Sequence, residues 1–562
     1  MSEESATADE ATAHDLTSGR SGRSARAGDL VAGLSVITLL VVVLVRGWNL
    51  WFASDDWNII TEYTSGNLLV PFNGHLSLVP VAIYQALFHT VGIVDYLPYR
   101  LAGLVALAVL GWWVVRYGRR RIGPWTAALL VTAVLWNCSG STNLMFPFLM
   151  NFSLPIAALI AIWWHLDRDS ARDDVAAGLW LAFALATSGL GIMALGATVV
   201  ELAVGRSPWR RWCRVLPGAV LWFVWWVTHR AASTASTDVR AVIGYSARMF
   251  LGGTTSVAFG WRPGGIVLAV GFLALVTVAA VRWRSLDARS LGALAAPAAF
   301  IGFTALTRID IVPRIPPDEL RYGWTVGAYL LLAAVALWRP TATDAAALHR
   351  LRTPAVAGAV LVLALSMFEL QGGLTRWIDD VEGNTPGVRT NLFATEAVGA
   401  DRVDPSIVMP LSFVPVTTGR YLAAVAELGS PIDGAPASDF AGRADQLDAA
   451  DRVLRDSLSV EHEPDAGDPA PSVGCVESLT ADPGSSFTLR AGTTGMVQIR
   501  RFGTTPVFEL DAGAAGRYRL PADEPTGSGA RAPYTITVDT STVSTGTANA
   551  STASEPVICP TG

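Results

Sequence analysis

Long runs of apolar residues constrain this 562-residue chain more than any other feature. A transmembrane helix needs roughly 20 mostly apolar residues, and a shorter run can span when Trp, Tyr or Arg anchors its ends. The sequence therefore predicts about eleven spans and a polytopic α-helical membrane domain. The stretch 174–205 is interrupted only by Thr187-Ser188-Gly189, so it forms either two spans or one broken helix. The predicted spans lie near residues 30–47, 100–117, 123–137, 151–166, 174–188, 190–205, 215–229, 264–282, 290–307, 322–338 and 354–370.

The chain is poor in charge, and the charge it has is unevenly distributed. Charged residues make up 16% of the chain, whereas soluble proteins carry about 25%. This deficit excludes an ordinary cytosolic enzyme and a disordered scaffold. Residues 371–562 contain 13 Arg and 25 acidic residues, which leaves 28 Arg and 22 acidic residues in 1–370. We therefore predict a disordered cytoplasmic tail (1–27), a membrane domain (28–370) and an acidic soluble part.

The Arg-rich loops predict the orientation of the membrane domain, because cytoplasmic loops are enriched in basic residues. Arg clusters follow the second, sixth, eighth and tenth predicted spans, and all fall on one side if the N-terminus is cytoplasmic. With about eleven spans, the C-terminus is then extracytoplasmic, together with the loops 48–99, 230–263 and 308–321. All 41 basic residues are Arg, a codon bias typical of GC-rich bacteria, so the predicted location is a bacterial cell membrane.

The C-terminal part has the composition of an exported soluble domain. Residues 371–474 combine short apolar runs with a helical pattern near 439–458, which predicts a mixed α/β region. Residues 475–562 contain four alternating segments separated by Gly- and Pro-rich turns, so a small β-sandwich is expected. These segments lie near residues 486–490, 496–500, 506–510 and 534–538.

Two of the four cysteines bracket the β-rich segment. Cys475 and Cys559 are both predicted to be extracytoplasmic, where disulfides persist, so we expect them to be bonded to each other. The alternative is two free thiols. Cys138 and Cys213 lie at the ends of spans on opposite faces of the membrane and should not pair.

An acidic pair in the first outer loop is the main candidate for catalysis. Asp55 and Asp56 follow the first span by about eight to ten residues, which places them near the outer membrane interface. A carboxylate there can act as a general base towards a sugar hydroxyl, or hold a divalent cation, magnesium or manganese, against a phosphate. The alternative is that the pair only caps a helix. His75 follows an Asn-Gly turn and could face the same cleft or be structural, and residues 76–91 suit a helix lying in the outer interface.

Arginines near the last outer loops are candidates for binding a phosphate. Arg321 and Tyr322 lie where the loop 308–321 enters a span, and Arg314 lies in the same loop. The planar guanidinium group binds phosphate oxygens in pairs. Arg262, in the loop 230–263, is a weaker candidate of the same kind. The alternative is a solvated loop whose charges neutralise one another. The short cytoplasmic loops contain no P-loop and no GxGxxG motif, so no nucleotide site is predicted there.

Together these features resemble the GT-C superfamily of polytopic membrane glycosyltransferases, in an actinobacterial form. The resemblance rests on Asp55-Asp56-Trp57, on the segment Asn73-Gly74-His75-Leu76-Ser77 followed by an apolar helix, and on Arg321-Tyr322 at a late span. It covers residues 1–370.

The resemblance implies both a substrate class and roles for individual residues. The donor would be a hexose or pentose on a polyprenyl phosphate, used at the outer face of the membrane. The acceptor would be an envelope glycan, a glycolipid or a protein. Transfer would be inverting, with Asp55 or Asp56 activating the acceptor hydroxyl and Arg321 contacting the donor phosphate. Asp56 is favoured of the two because it directly precedes Trp57. Membrane lipid is an expected partner and nucleic acid is not.

Other functions remain open from the sequence alone. A lipid or polysaccharide transporter, or flippase, would show internal repeats and a polar path across the bilayer, and neither is visible. A glycan polymerase or ligase of the envelope would share the outer site. A non-catalytic assembly protein would need far fewer spans than the sequence predicts.

Overall fold

The computed structural model describes residues 4–560 except 65, 67, 73, 230–237, 285, 310–314, 340–341, 412–415, 434–441, 464–475, 490–495, 512–515, 524–531 and 540–557. Two predicted residues, Arg314 and Cys475, lie outside the described part of the chain.

The described chain is mostly helical. Seven of its helices are long and apolar enough to cross a membrane. The helices are α1 (Glu4–Arg46), α2 (Asp55–Glu62), α3 (Leu78–Val91), α4 (Leu97–Ile122), α5 (Pro124–Leu135), α6 (Ser141–Met145), α7 (Met150–Leu166), α8 (Ala171–Thr187), α9 (Gly191–Val204), α10 (Trp209–Val215), α11 (Pro217–His229), α12 (Val239–Val257), α13 (Arg262–Val281), α14 (Ala288–Arg308), α15 (Leu320–Leu337), α16 (Ala342–Val398), α17 (Thr418–Leu428) and α18 (Ala444–Ser457).

Each of the predicted spans coincides with a helix, but four of these helices are shorter than a full span. They are α5, α8, α9 and α11, of 12, 17, 14 and 13 residues. The stretch 174–205 forms two helices, α8 and α9, separated by Ser188–Leu190. The apolar runs are therefore helical, but the described residues contain seven helices of spanning length, fewer than the about eleven spans predicted.

The structure differs from the sequence-based expectation in three places. The predicted outer loop 230–263 contains α12, whose apolar residues alternate with Arg, Ser and Thr and so escape a search for continuous apolar runs. Helix α1 begins at Glu4 and includes most of the tail predicted to be disordered, because each residue added to a formed helix gains one backbone hydrogen bond. Helix α16 continues past the composition change at residue 371 to Val398.

The chain divides into two compact units. The first comprises Met1–Asn49, Asn67–Tyr84 and Leu97–Ile378. The second comprises Leu50–Gly66, Gln85–Tyr96 and Asp379–Gly562. The part of the first outer loop that carries the acidic pair therefore belongs to the same compact unit as the C-terminal part of the chain.

A buried ion pair joins helices of the first unit. Arg289 at the start of α14 contacts Glu201 of α9 at 2.6 Å and Asp167 at 3.0 Å, and its side chain is 5% exposed. Its Nη2 also donates to the carbonyl oxygen of Trp163 at 3.1 Å. Removing one partner of such a pair would leave an uncompensated buried charge. Glu201 is thus part of the helix packing in this unit.

The second unit contains a β-sandwich. Two four-stranded antiparallel sheets are present, one with the strand order 558–560, 486–489, 516–519 and 461–463, and the other with the order 478–481, 534–539, 496–500 and 508–511. Side chains from both sheets share one core, including Phe487 and Tyr518 from the first and Val497 and Ile536 from the second. The strands are β1 (Val408–Met409), β2 (Val416–Thr417), β3 (Glu461–Glu463), β4 (Ser478–Ala481), β5 (Ser486–Leu489), β6 (Met496–Arg500), β7 (Phe508–Asp511), β8 (Gly516–Arg519), β9 (Tyr534–Asp539) and β10 (Ile558–Pro560).

A second core in this unit joins the sandwich to helices. It contains Ala394 and Val398 from α16, Ala450 and Leu454 from α18, and Val507 before β7. Cys559 of β10 is disulfide-bonded, whereas Cys138 and Cys213 are free thiols.

Candidate functional site

The acidic pair begins a short helix in the second unit. Asp55 and Asp56 occupy the first turn of α2, where free backbone N–H groups and the helix dipole stabilise negative charge. Ser54 precedes them with φ 50°, a conformation that non-glycine residues seldom adopt. Such backbone strain persists only where the surrounding structure maintains it, and it occurs often at functional sites.

The two carboxylates differ in their surroundings. Asp56 is fully buried, and its Oδ2 accepts hydrogen bonds from the Tyr96 hydroxyl at 2.7 Å and from the Ala53 N–H at 3.2 Å. Asp55 is only partly buried. The two carboxylates therefore differ in exposure, because Asp56 is enclosed by the protein and Asp55 is partly accessible.

Aromatic rings surround this turn. Trp51 packs edge-on against Trp57, with ring centroids 5.3 Å apart, and Phe52 lies 4.7 Å from Tyr96. The guanidinium group of Arg389, from α16, lies over the Trp51 ring at 4.7 Å. Such a setting lowers the local dielectric constant, which strengthens the interactions of a nearby carboxylate.

Within the second unit, helix α2 contacts α17 of the C-terminal part of the chain. The rings of Trp57 and Tyr421 lie 6.4 Å apart, and Arg420 pairs with Glu62 at 2.7 Å. The Tyr421 hydroxyl in turn donates to Glu396 of α16, which also accepts from Ser430 at 3.0 Å. Sequence reasoning missed these contacts, because no local pattern pairs residues that lie 358 positions apart.

His75 occupies a tight hairpin in the first unit. The backbones of Phe72 and His75 exchange two hydrogen bonds of 2.9 Å, and Gly74 has φ 78°, as the Asn-Gly signal predicted. The imidazole packs so closely on Gly189 that a β-carbon there would lie 2.7 Å from Nδ1. Its Nε2 lies 3.5 Å from Nη2 of Arg308. Burial, together with the charge of Arg308, lowers the pKa of His75 to about 4, so the ring is neutral at physiological pH.

Arg321 and Tyr322 begin α15 in the first unit. Tyr322 is buried and packs edge-on against Phe300 at 6.0 Å. The Nε of Arg321 is buried and has no hydrogen-bond partner among the described residues. A cation in the first turn of a helix is unfavourable for the helix dipole. Both observations favour an anionic ligand at Arg321.

More positive charge lies near this turn. Arg308 at the end of α14, Arg248 of α12 and Tyr322 are all close enough to act electrostatically on Tyr245, as is Glu319. The Tyr245 hydroxyl donates to the carbonyl oxygen of Ile315 at 3.1 Å, which joins α12 to the loop before α15. Arg262 is exposed at the start of α13.

Arg100, which sequence reasoning did not select, caps the end of α1. Its buried guanidinium group donates to the carbonyl oxygens of Val43, Leu44 and Gly47 at the end of α1. The last carbonyl groups of a helix lack partners within the helix, and a cation there also complements the helix dipole. A positive charge at the start of the second predicted span was a usable signal for this cap.

The predicted site residues thus fall into two groups. Asp55 and Asp56 belong to the second unit, whereas His75, Arg262, Arg321 and Tyr322 belong to the first. Among the described residues no cluster of three or more acidic, His or Cys side chains is arranged to hold a metal ion.

Comparisons with known proteins give one distant structural likeness. No protein-family model and no curated protein sequence matches this chain. The crystal structure of ArnT from Cupriavidus metallidurans bound to undecaprenyl phosphate is similar with a TM-score of 0.46 and 17% sequence identity, over 69% of this chain and 84% of that one. The apo structure of the same protein gives a TM-score of 0.45 and 18% identity over the same shares. Likeness of this degree assigns the chain to no family.

Proposed function

We propose that this chain is a membrane glycosyltransferase that moves a sugar from a polyprenyl-phosphate donor to a cell-envelope acceptor at the outer membrane face. The observation that carries the proposal is the first turn of α2. There Asp55 lies beside Asp56, which is fully buried and hydrogen-bonded to Tyr96. The bonds to Asp56 fix the turn that also carries Asp55 before the substrate binds, and a general base must be positioned in this way.

The two carboxylates have different roles in this proposal. Asp55, the more accessible, accepts the proton of the acceptor hydroxyl as the oxygen attacks the anomeric carbon of the donor sugar. Asp56 is a positioning residue, because its bonds to Tyr96 and Ala53 fix the first turn of α2. The sequence alone favoured Asp56 as the base, but its burial supports the reverse assignment.

The leaving group of this reaction is the polyprenyl phosphate. Attack from the face opposite the phosphate forms one glycosidic bond, breaks the bond to the phosphate oxygen and inverts the anomeric centre. Arg321, whose buried Nε has no partner among the described residues, would bind the phosphate and stabilise its negative charge.

The packing of charged groups does not favour a transporter. Ion-coupled transport uses ionisable residues within the membrane that exchange their ligands. Glu201, an acidic residue of α9, is instead held by Arg289 at 2.6 Å. A donor held in the membrane also explains why the cytoplasmic loops carry no nucleotide motif.

Complementation of a deletion strain tests the proposal. The strain receives wild type, Asp55→Asn, Asp56→Asn or Asp401→Asn, and the envelope sugars are analysed by linkage. Asp401 is an exposed residue of the same unit and serves as the matched control. We expect one linkage to disappear on deletion and to return with wild type and Asp401→Asn. Loss of a general base should slow transfer by about 10²- to 10⁴-fold, so Asp55→Asn should not restore the linkage.

The result depends on equal amounts of each protein in the membrane, which immunoblotting of membrane fractions measures. If Asp55→Asn and Asp56→Asn both restore every linkage, the acidic pair only caps α2 and the transferase proposal is wrong. If Asp56→Asn alone fails, the roles of the two carboxylates are the reverse of those proposed.

A further inference from the structure

The chain between α5 and α7 interrupts the helices of the first unit. Residues 138–149 form two short 3-10 helices, Cys138–Gly140 and Pro147–Leu149, on either side of the five-residue α6. Most of these residues are buried. Irregular backbone inside a membrane domain is tolerated where it is buried in protein or lines a cavity, and broken helices often form the substrate sites of membrane proteins.

Within this segment the side chain of Asn143 stands out. Asn143 is 4% exposed, and neither its Oδ1 nor its Nδ2 has a hydrogen-bond partner among the described residues. A buried polar group without partners is destabilising, so its presence calls for an explanation.

Asn137, six residues earlier, shows how this segment satisfies a comparable amide. It is 1% exposed, its Nδ2 donates to Ser256 Oγ at 3.2 Å, and its Oδ1 accepts from the Ser139 N–H at 3.0 Å. Asn137, just before the segment, therefore uses both ends of its amide in the fold, whereas Asn143, inside the segment, uses neither among the described residues.

The segment lies against the N-terminal turns of α15. A β-carbon on Gly140 would lie 3.1 Å from the Trp324 ring, and one on Gly323 would lie 3.5 Å from Ser139 Oγ. Helix α6 itself packs on α15. Two side chains of α15 also have a buried polar atom without a hydrogen-bond partner among the described residues, Arg321 at its Nε in the first turn and Tyr329 at its hydroxyl.

We propose that Asn143 binds a hydroxyl group of the donor sugar. The inference rests on the proposed function, in which Arg321 binds the phosphate to which that sugar is attached. A carboxamide offers one donor group and one acceptor, and a sugar hydroxyl can satisfy both, whereas a phosphate oxygen only accepts. Asn143 is therefore a determinant of sugar binding and the phosphate contact lies elsewhere.

The test compares stability with ligand binding for the full chain in lipid nanodiscs. The variants are Asn143→Leu, which keeps the number and branching of side-chain atoms, Asn143→Ala, and Asn137→Leu as the matched control. Replacing an unsatisfied amide by an apolar side chain should raise Tm, by about 1 to 4 °C for Asn143→Leu. Asn137→Leu should lower Tm because it removes two hydrogen bonds.

Binding is measured by thermal shift with three probes, which are undecaprenyl phosphate, undecaprenyl-phosphate mannose and undecaprenyl-phosphate arabinose. We expect wild type to bind one of the sugar-linked forms more tightly than undecaprenyl phosphate itself. Asn143→Leu should lose this preference, with at least tenfold weaker binding of the sugar-linked form. Its affinity for undecaprenyl phosphate should be unchanged.

The outcomes separate the two proposals. If wild type binds none of the three probes, the proposed function is wrong. If wild type prefers a sugar-linked form and Asn143→Leu retains that preference, the amide holds only a water molecule and the inference fails while the function stands. The inference also fails if wild type binds all three probes equally, or if both Asn143 variants have a lower Tm, since the amide would then have a protein partner.

Discussion

Tyr96→Phe is the substitution that best tests how the acidic pair is held. It removes a hydroxyl group and leaves the ring that packs 4.7 Å from Phe52. It deletes the 2.7 Å hydrogen bond that the Tyr96 hydroxyl donates to Oδ2 of Asp56, a fully buried carboxylate. Asp56 then retains the Ala53 N–H, at 3.2 Å, as a donor to the same oxygen.

The expected magnitude follows from the charge and burial of the acceptor. A hydrogen bond to a charged group contributes about 1.5 to 3 kcal/mol. If the whole of this free energy is lost from the stabilisation of the transition state, because the first turn of α2 is no longer held in place, kcat/KM falls by about 10- to 150-fold. If it appears only in the folded state, Tm falls and kcat/KM is unchanged.

The assay measures transfer from a lipid-linked donor and the thermal midpoint of the same purified protein. Tyr534→Phe is the control, because its hydroxyl also contacts a charged buried group, Arg501, at 3.2 Å in the β-sandwich. We expect both variants to lose stability and only Tyr96→Phe to lose activity. Equal activity of the two variants would refute the positioning role of Asp56.

Three further predictions concern the phosphate site and the dependence of stability on pH. Arg321→Gln should lower kcat/KM about hundredfold and Arg321→Lys about tenfold, since Lys keeps the charge but lacks the planar fork. Transfer rates that match wild type in both variants would exclude phosphate binding at this residue. The pKa of His75 is about 4 in the folded protein and 6.5 in the unfolded chain, so the unfolded chain binds more protons between these values and stability falls by about 3 kcal/mol as pH drops through that window. His75→Gln lacks this titrating group, so its Tm minus that of wild type should be larger at pH 4.5 than at pH 7. An equal difference at both pH values would contradict the burial of a neutral ring. The contribution of Asp451 to stability changes with pH in the opposite direction. Burial raises its pKa to about 6 from 3.8, so stability falls by about 3 kcal/mol as pH rises through that range. The Tm of Asp451→Asn minus that of wild type should be larger at pH 7 than at pH 4.5. In thermal melts, this difference should therefore change with pH in opposite directions for the two variants.

The sequence predicted most of the helices because a membrane span is recognisable from local sequence, as a continuous run of apolar residues. It failed at α12, where buried Tyr245 and Met249 alternate with exposed Arg240 and Arg248. Such a helix gains its stability from packing on neighbours that a local pattern does not reveal. The turn before His75 was predictable because it depends on local sequence alone, since Asn-Gly determines the backbone conformation by itself.

The candidate site was only partly visible in the sequence. The adjacent carboxylates were recognisable, but their different burial depends on Tyr96, 40 residues away. The contact of α2 with α17 depends on residues hundreds of positions apart, and the charge state of His75 depends on Arg308. Properties that depend on distant partners require the folded structure, whereas residue types at short spacing do not.

The hydrogen bonds within the first outer loop have a consequence for the continuity of the chain. Gln85 donates to the carbonyl oxygens of Tyr63 at 2.9 Å and of Gly66 at 3.2 Å, and Tyr96 donates to Asp56. The two ends of the loop, 50–66 and 85–96, are therefore joined by contacts that do not involve the peptide chain between them. A protease that cut this intervening stretch would produce a nicked protein whose acidic turn stays assembled.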